Sequence, residues 1–108
     1  MSGKVIVLGI SDGGLESLTA RSRALLDKAT FVAGGERHLA FCAHLKVPTL
    51  AITNNLKELA ERLAEELKKP EARPVVLASG DPLFYGIARF LIGKLTSGKV
   101  EVHPYLSS

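Results

Sequence analysis

The chain has little of what several common kinds of site require. Its 108 residues contain a single cysteine, Cys42, and three scattered histidines. One thiol excludes an internal disulfide, and with so few imidazoles it provides no metal-ligand cluster. We therefore expect no bound metal, and we predict that Cys42 is a small buried hydrophobic residue.

Long apolar runs and a strong excess of one charge are also missing. No apolar run approaches the roughly 20 residues of a membrane span, and residues 1–10 have the pattern of a strand instead of a signal peptide. The net charge of +3 is mild and evenly spread, which does not favour nucleic acid as a partner. With 46% hydrophobic and 23% charged residues, the composition predicts one globular domain in the cytoplasm.

Familiar catalytic and nucleotide-binding patterns are equally scarce. The sequence shows no Ser-His-Asp spacing, paired-carboxylate site or Cys-His pair, and His38, His44 and His103 are predicted to be structural or exposed. The first loop, GISDGG, places Ser11 where the second glycine of G-x-G-x-x-G would stand. No acidic residue closes the second strand and no G-K-[ST] occurs, so both dinucleotide and P-loop sites are disfavoured.

What the chain does contain is a regular alternation of strand and helix patterns. Short apolar runs rich in β-branched residues predict strands at residues 4–10, 30–33, 49–52, 75–79 and 99–103. Helical spacing is clearest at residues 56–69, with Thr53 or Asn54 as the cap, and helices are also predicted within 18–29, 36–43 and 82–94. This alternation predicts a three-layer α/β fold with a five-stranded parallel sheet and helices on both faces.

The organising stretch is VVLASGDPLFYG at residues 75–86, a buried strand, a tight turn and the start of a helix. In a parallel sheet this turn lies at the carboxyl edge, where ligands bind beyond the strand ends. Gly80 lets a ligand approach the backbone, and Asp81 is suited either to cap the helix or to accept hydrogen bonds from a ligand. An ordinary strand-to-helix connection would use the same residues.

Three strand exits are predicted to meet at that edge, namely residues 9–14, 79–84 and 104–108. Their side chains are mostly small, which favours a pocket for a small ligand held largely by backbone groups. Arg37 and His38 form the polar cluster that could face an anionic substrate, although a solvated helix start accounts for them equally well.

Four motifs, taken together, resemble the tetrapyrrole (corrin/porphyrin) methylase family. They are LGISDGGLESLT, FVAGGERHL, LASGDPLFYGIA and VEVHPYLSS. The GDP turn is shared across that family, whereas GGERHL points to its precorrin-6Y branch, whose members methylate C5 of the ring in cobalamin biosynthesis. The resemblance covers essentially the whole chain but only the amino-terminal half of the family's catalytic unit.

The resemblance implies an S-adenosylmethionine-dependent C-methyltransferase with two α/β domains and the cofactor in the trough between them. The cofactor contacts that it implies are Ser79, Gly80, Asp81, Phe84, Ser107 and Ser108, together with Gly9 and Asp12 of the first loop. It places the first loop, with Ser11, at the border of the cofactor and the precorrin substrate, and we expect Arg37 and His38, from the residue pattern alone, to contact that substrate. Two positions depart from the family pattern, because Ser11 and Tyr105 stand where glycine is usual.

If residues 1–108 are the amino-terminal subdomain alone, half a trough cannot orient two reactants, and we expect weak or no methyl transfer from them. The apolar surface meant for the other half would favour a homodimer. Two alternatives stay open at this point. One is an α/β binding or regulatory module that senses an anion through Arg37 and His38, and the other is a fragment of a nicotinamide-dependent oxidoreductase.

Overall fold

The structure is a computed structural model that describes residues 4–10, 18–53, 55–69, 71–78, 83–95 and 97–103, without the side chains of residues 83–85 and 97. Within those residues the strands are β1 (Val5–Gly9), β2 (Phe31–Gly34), β3 (Thr49–Ala51), β4 (Pro74–Ala78) and β5 (Val100–His103). The α-helices are α1 (Ala20–Asp27), α2 (Glu36–Ala40), α3 (Leu56–Leu67) and α4 (Leu83–Leu95). Short 3-10 turns cover Ala43–Leu45 and Ser97–Lys99.

The described strands form one parallel sheet in the order β3-β2-β4-β1-β5. β4 lies between β1 and β2, so the connection from β1 to β2, which contains α1, passes over the position of β4 in the sheet. The β-branched, apolar sequence of β4 suits this central place, because all five of its residues are buried. The predicted fold class, a five-stranded parallel sheet in an α/β arrangement, is confirmed.

Each face of the sheet is covered by its own pair of helices. On the first face, α3 and α4 pack through Leu59, Leu63, Ile87 and Leu91, all at most 3% exposed. Alternate strand residues complete this cluster, among them Val5, Val7, Phe31, Ala33, Val76, Ala78 and Val100. The helical spacing that marks α3 in the sequence is therefore the spacing of its contacts with the sheet.

The second face carries α1 and the segment after α2. Leu26 and Cys42 pack there against the other set of alternate strand residues, Leu8, Ile10, Val32, Val75 and Leu77. Cys42 is 2% exposed, as predicted for a small hydrophobic residue. Burial raises the pKa of its thiol, so the side chain is neutral near pH 7 and is no nucleophile.

Several helix boundaries differ from the predicted ones, and each difference has a local cause. α1 begins at Ala20 instead of residue 18, because the Thr19 hydroxyl accepts a hydrogen bond from the Ser22 amide at 3.1 Å and caps the helix there. α2 ends at Ala40, since the Phe41 and Cys42 amides donate to carbonyls three residues back and tighten the chain into a 3-10 turn.

The predicted cap of α3 is wrong where it can be checked. The N-cap residue is Asn55, not Thr53, and residue 54 lies outside the described part of the chain. The Asn55 side chain does not cap the helix amides. It accepts a hydrogen bond from the Thr53 amide at 2.8 Å and donates to the Ala51 carbonyl at 3.2 Å, so it holds the connection from β3 instead.

A search of the described residues finds no helix with the length and apolar character needed to cross a bilayer. The longest described helix, α4, has 13 residues, and a span needs roughly 20.

Candidate functional site

The carboxyl edge of the sheet, at which β1 ends in Gly9, β2 in Gly34, β4 in Ala78 and β5 in His103, is the candidate site. At its centre Gly9 and Ala78 are paired across β1 and β4. The pairing continues one step beyond β1, because the Ile10 amide donates to the Ala78 carbonyl at 3.0 Å. The two central strands therefore deliver the chain to the same place, one just before residues 11–17 and the other just before residues 79–82.

The connections that follow these two strands lead to opposite faces of the sheet. After β1 the chain runs to α1, whose Leu26 belongs to the second-face cluster. After β4 it runs to α4, whose Ile87 and Leu91 belong to the first-face cluster. Adjacent parallel strands whose connections diverge in this way open a crevice beyond their carboxyl ends, which is where open α/β sheets bind ligands.

β5 brings a third strand end to the same edge. It pairs with β1 on the side away from β4, with Val102 opposite Val7 and His103 opposite Leu8. The strands that precede the three predicted loops are therefore neighbours in the order β4-β1-β5. If these strand ends had lain at opposite edges of the sheet, the three loops could not have formed one ligand site.

The end of β2 places the GGERHL motif beside the same crevice. A Cβ added at Gly34 would lie 3.2 Å from the Cβ and 3.3 Å from the carbonyl oxygen of Leu77, so the first glycine permits close approach of β2 and β4. The same added atom would lie 3.5 Å from the His38 Cβ. His38 is half-buried against the glycines, whereas Arg37 is exposed one residue earlier.

Of the predicted site residues, Gly9, Arg37 and His38 lie within the described part of the chain, at or beside the carboxyl edge. The others lie outside it: Ser11, Asp12, Ser79, Gly80, Asp81, Ser107 and Ser108, and for Phe84 the side chain. Their assignment stays a prediction that rests on the family motifs.

A hydrogen-bonded pair that the sequence analysis missed lies near the end of β5. The His103 Nε2–H donates to Glu101 Oε2 at 2.7 Å, since an ionised carboxylate only accepts hydrogen bonds. This hydrogen bond is the main cause that lowers the pKa of Glu101, and the charges of Lys4 and Arg21 act in the same direction. The sequence could have predicted this pair, because Glu101 and His103 are two residues apart in a predicted strand and such side chains face the same side.

The opposite edge of the sheet, at the amino ends of the strands, carries a different polar cluster. The Glu66 side chain is 5% exposed and accepts hydrogen bonds from Arg62 Nε at 3.4 Å and Lys69 Nζ at 3.3 Å. The Arg62 guanidinium also lies 4.7 Å from the centre of the Phe31 ring. A pocket of about 390 Å³ borders this cluster and is lined by Thr30, Glu66, Lys69, Glu71 and Ala72.

These features define the class of protein, a doubly wound α/β domain in which the adjacent ends of β1 and β4 are the place where such sheets bind ligands. The family model described as Tetrapyrrole (Corrin/Porphyrin) Methylases matches residues 4–108. The chain therefore belongs to the tetrapyrrole methylase family, as its motifs predicted.

Two curated relatives and one solved structure show how far the similarity extends. The chain is 34% identical over 102 residues to a precorrin-6Y C(5,15)-methyltransferase (decarboxylating) of Sinorhizobium sp, covering 94% of this chain and 24% of that protein. It is 32% identical over 102 residues to a cobalt-precorrin-7 C(5)-methyltransferase of Salmonella typhimurium, covering 94% and 49%. The crystal structure of the methyltransferase CobJ matches with a TM-score of 0.69 at 28% identity, over 99% of this chain and 48% of that one.

The chain thus spans between about a quarter and about a half of the length of these relatives. The match to the solved structure covers nearly all of the chain, so it confirms the α/β fold independently of the strand pattern.

Proposed function

We propose that this chain supplies the cofactor-binding part of an S-adenosylmethionine-dependent C-methyltransferase of cobalamin biosynthesis. The observation that carries the proposal is the adjacency of β1 and β4, whose carboxyl ends lie side by side and lead to helices on opposite faces. The names of the relatives support the reaction class and the substrate, which we take to be precorrin-6Y or its cobalt form.

The residues at the carboxyl edge fit a ligand that is bound largely through the backbone. Three strand ends there carry small residues, Gly9, Gly34 and Ala78, which bring no large side chain of their own to the ends of β1, β2 and β4. In our proposal Gly9, Asp12, Phe84 and the turn at residues 79–81 bind the cofactor, together with Ser107 and Ser108. The Asp81 carboxylate would accept hydrogen bonds from the nucleoside, since a carboxylate is a strong acceptor for charge-assisted bonds.

The substrate would lie on the β2 side of the same edge. Arg37 is exposed there, and His38 packs beside Gly34 and Gly35. A guanidinium group binds carboxylates in a bidentate way, which suits an anionic tetrapyrrole. Ser11, in the loop that follows β1, completes the proposed substrate contacts.

When bound, S-adenosylmethionine supplies an electrophilic methyl group on a sulfonium. The residues of this chain would bind, orient and shield the reactants, and no covalent enzyme intermediate is required. Because alignment of two reactants contributes most of such a rate enhancement, the trough must be complete for catalysis. We therefore propose that a carboxyl-terminal half completes it, that residues 1–108 alone methylate weakly or not at all, and that the protein is a cytoplasmic homodimer.

Calorimetric titration with S-adenosylhomocysteine tests this proposal in the protein as its gene encodes it. We expect binding by the wild type, and a loss of roughly tenfold or more in affinity for Asp81→Ala, the size of effect typical of a lost hydrogen bond to a charged group. Asp27→Ala is the matched control, because Asp27 is an exposed carboxylate at the end of α1 and should leave the affinity unchanged.

The same titration separates the proposal from its alternatives. Absence of S-adenosylhomocysteine binding to the wild type would overturn it. Loss of binding in Arg37→Ala with full binding in Asp81→Ala would favour a module that senses an anion. Competition by NADH for the same pocket would favour the oxidoreductase reading. Methyl transfer by residues 1–108 at nearly the rate of the complete protein would contradict the need for a second half.

A further inference from the structure

Glu101 and His103 form a hydrogen-bonded pair at the end of β5. The two side chains lie on the same side of the strand, two residues apart, and their 2.7 Å hydrogen bond forms while residues 101–103 stay extended. The His103 side chain is 18% exposed and the Glu101 side chain 40%. The imidazole is therefore held mostly within the protein, and the carboxylate bonded to it lies toward solvent.

The position of the pair connects it to the carboxyl edge. β5 is the last strand of the described sheet and has a ladder on one side only, with His103 opposite Leu8 and Glu101 opposite Ile6. A strand paired on one side has fewer contacts to fix its end than a central strand has. Leu8, which pairs with His103, directly precedes Gly9. An interaction that restricts the backbone at His103 therefore also restricts the end of β1 at the carboxyl edge.

The charged groups around the pair favour the ionised form of the Glu101 carboxyl. Hydrogen bonding to His103 lowers its pKa most, and Lys4, just before β1, and Arg21, in the first turn of α1, lower it further. The carboxylate accepts the hydrogen bond from His103 Nε2, which fixes the orientation of the ring.

We propose that Glu101 and His103 are positioning residues for the nucleoside ligand at the carboxyl edge. The hydrogen bond between them keeps residues 101–103 in the extended conformation in which β5 pairs with β1, so that the strand end beside Gly9 is ordered before the ligand arrives. A site that is ordered in advance loses less free energy on binding. This inference rests on the proposed function and adds to it the residues that order the edge.

The test compares two substitutions at one position in the protein as its gene encodes it. Glu101→Ala removes the acceptor, whereas Glu101→Gln keeps a carbonyl oxygen that accepts from His103 Nε2. We expect Glu101→Ala to raise the Kd for S-adenosylhomocysteine by roughly fivefold to tenfold, with most of the affinity restored in Glu101→Gln, because the lost bond involves a charged group. KM for S-adenosylmethionine should rise in parallel while kcat stays within about twofold, since bound reactants still align.

Titration at a temperature well below the melting point of each variant, with the melting points measured in parallel, separates positioning from stability. A lower melting temperature with unchanged Kd in Glu101→Ala would overturn the inference and leave the proposed function intact. Equal loss of affinity in Glu101→Ala and Glu101→Gln would also overturn it, because charge and not the bond would then be responsible. Absence of binding by the wild type would overturn the proposed function and this inference together.

Discussion

The two edges of the sheet use polar residues in opposite ways. At the amino edge the Glu66 carboxylate is buried and pairs with Arg62 and Lys69, so the charges there satisfy one another. At the carboxyl edge three of the strands end in Gly9, Gly34 and Ala78, and their backbone is not covered by large side chains of their own. The difference teaches that a polar cluster beside a pocket can be purely structural, and that the order of the strands is the better guide to where an α/β sheet binds its ligand.

The largest effect that would test this contrast is expected from the first glycine of GGERHL. Gly34→Ser should lower the free energy of unfolding by about 1–3 kcal/mol, because its Cβ would lie 3.2 Å from the Leu77 Cβ and force β2 from β4. Denaturant unfolding measures the change.

The neighbouring glycine provides the matched control. A Cβ at Gly35 meets only His38 Nδ1 at 3.8 Å, and the extended N-cap conformation of Gly35 suits serine. Gly35→Ser should therefore be neutral or slightly stabilising. Equal destabilisation by the two variants would show that the close approach of β2 and β4 is not what requires glycine at the carboxyl edge.

At the amino edge the expected effect is smaller. Glu66→Gln should lower the free energy of unfolding by about 1 kcal/mol, because it weakens two ion pairs whose cations, at 42% and 68% exposed, regain hydration. Its affinity for S-adenosylhomocysteine should be unchanged. Glu65→Gln, on the exposed side of the same helix, is the control and should change neither quantity. Weaker binding of S-adenosylhomocysteine by Glu66→Gln would show that the amino edge also contributes to ligand binding, which would contradict the difference between the two edges.

The smallest effect concerns pH and the carboxyl edge. Hydrogen bonding to His103 lowers the pKa of Glu101 in the folded protein. A lowered pKa stabilises the fold above the unfolded value of about 4.3, and this stabilisation is lost as the pH falls through the folded value. Glu101→Gln should be less stable than the wild type at pH 7, by less than about 1 kcal/mol because the side chain is 40% exposed.

Thermal unfolding at several pH values checks this expectation. The difference in stability between the wild type and Glu101→Gln should disappear below the folded pKa of Glu101. Glu61→Gln, an exposed carboxylate on α3, should show no such pH dependence. A difference that persists at low pH would mean that packing, and not the ionised pair, distinguishes the variants.

The fold could be predicted from the sequence because its signals are local. The apolar run of β4 reflects burial on both faces of the sheet and the helical spacing of α3 reflects burial on one side of the helix, and both elements appear in the structure within a residue or two of their predicted limits. The limits of α1 were harder to predict, because Leu18 and Ala29 pack in the same cluster as Leu26 although they lie outside the helix. The Thr19 cap sets the start of α1, and the turn after Leu26 sets its end.

The candidate site could be predicted only in part. The ends of β1 and β4 follow from the turn signals after each strand, but their adjacency depends on a strand order that no local pattern encodes. The pair of Glu101 and His103 was missed because each residue, considered alone, is an ordinary polar residue of an edge strand. Its significance comes from the register with Ile6 and Leu8 on a strand almost a hundred residues earlier.

The order of the strands also bears on how the protein is made. β1 is synthesised well before both of its partners, β4 and β5, which lie at least 65 residues later in the sequence. Until they are synthesised, β1 and one edge of β2 expose backbone groups that have no neighbour to bond. Long-range pairing of this kind slows folding and leaves the nascent chain prone to association, so the newly made protein should depend on chaperones.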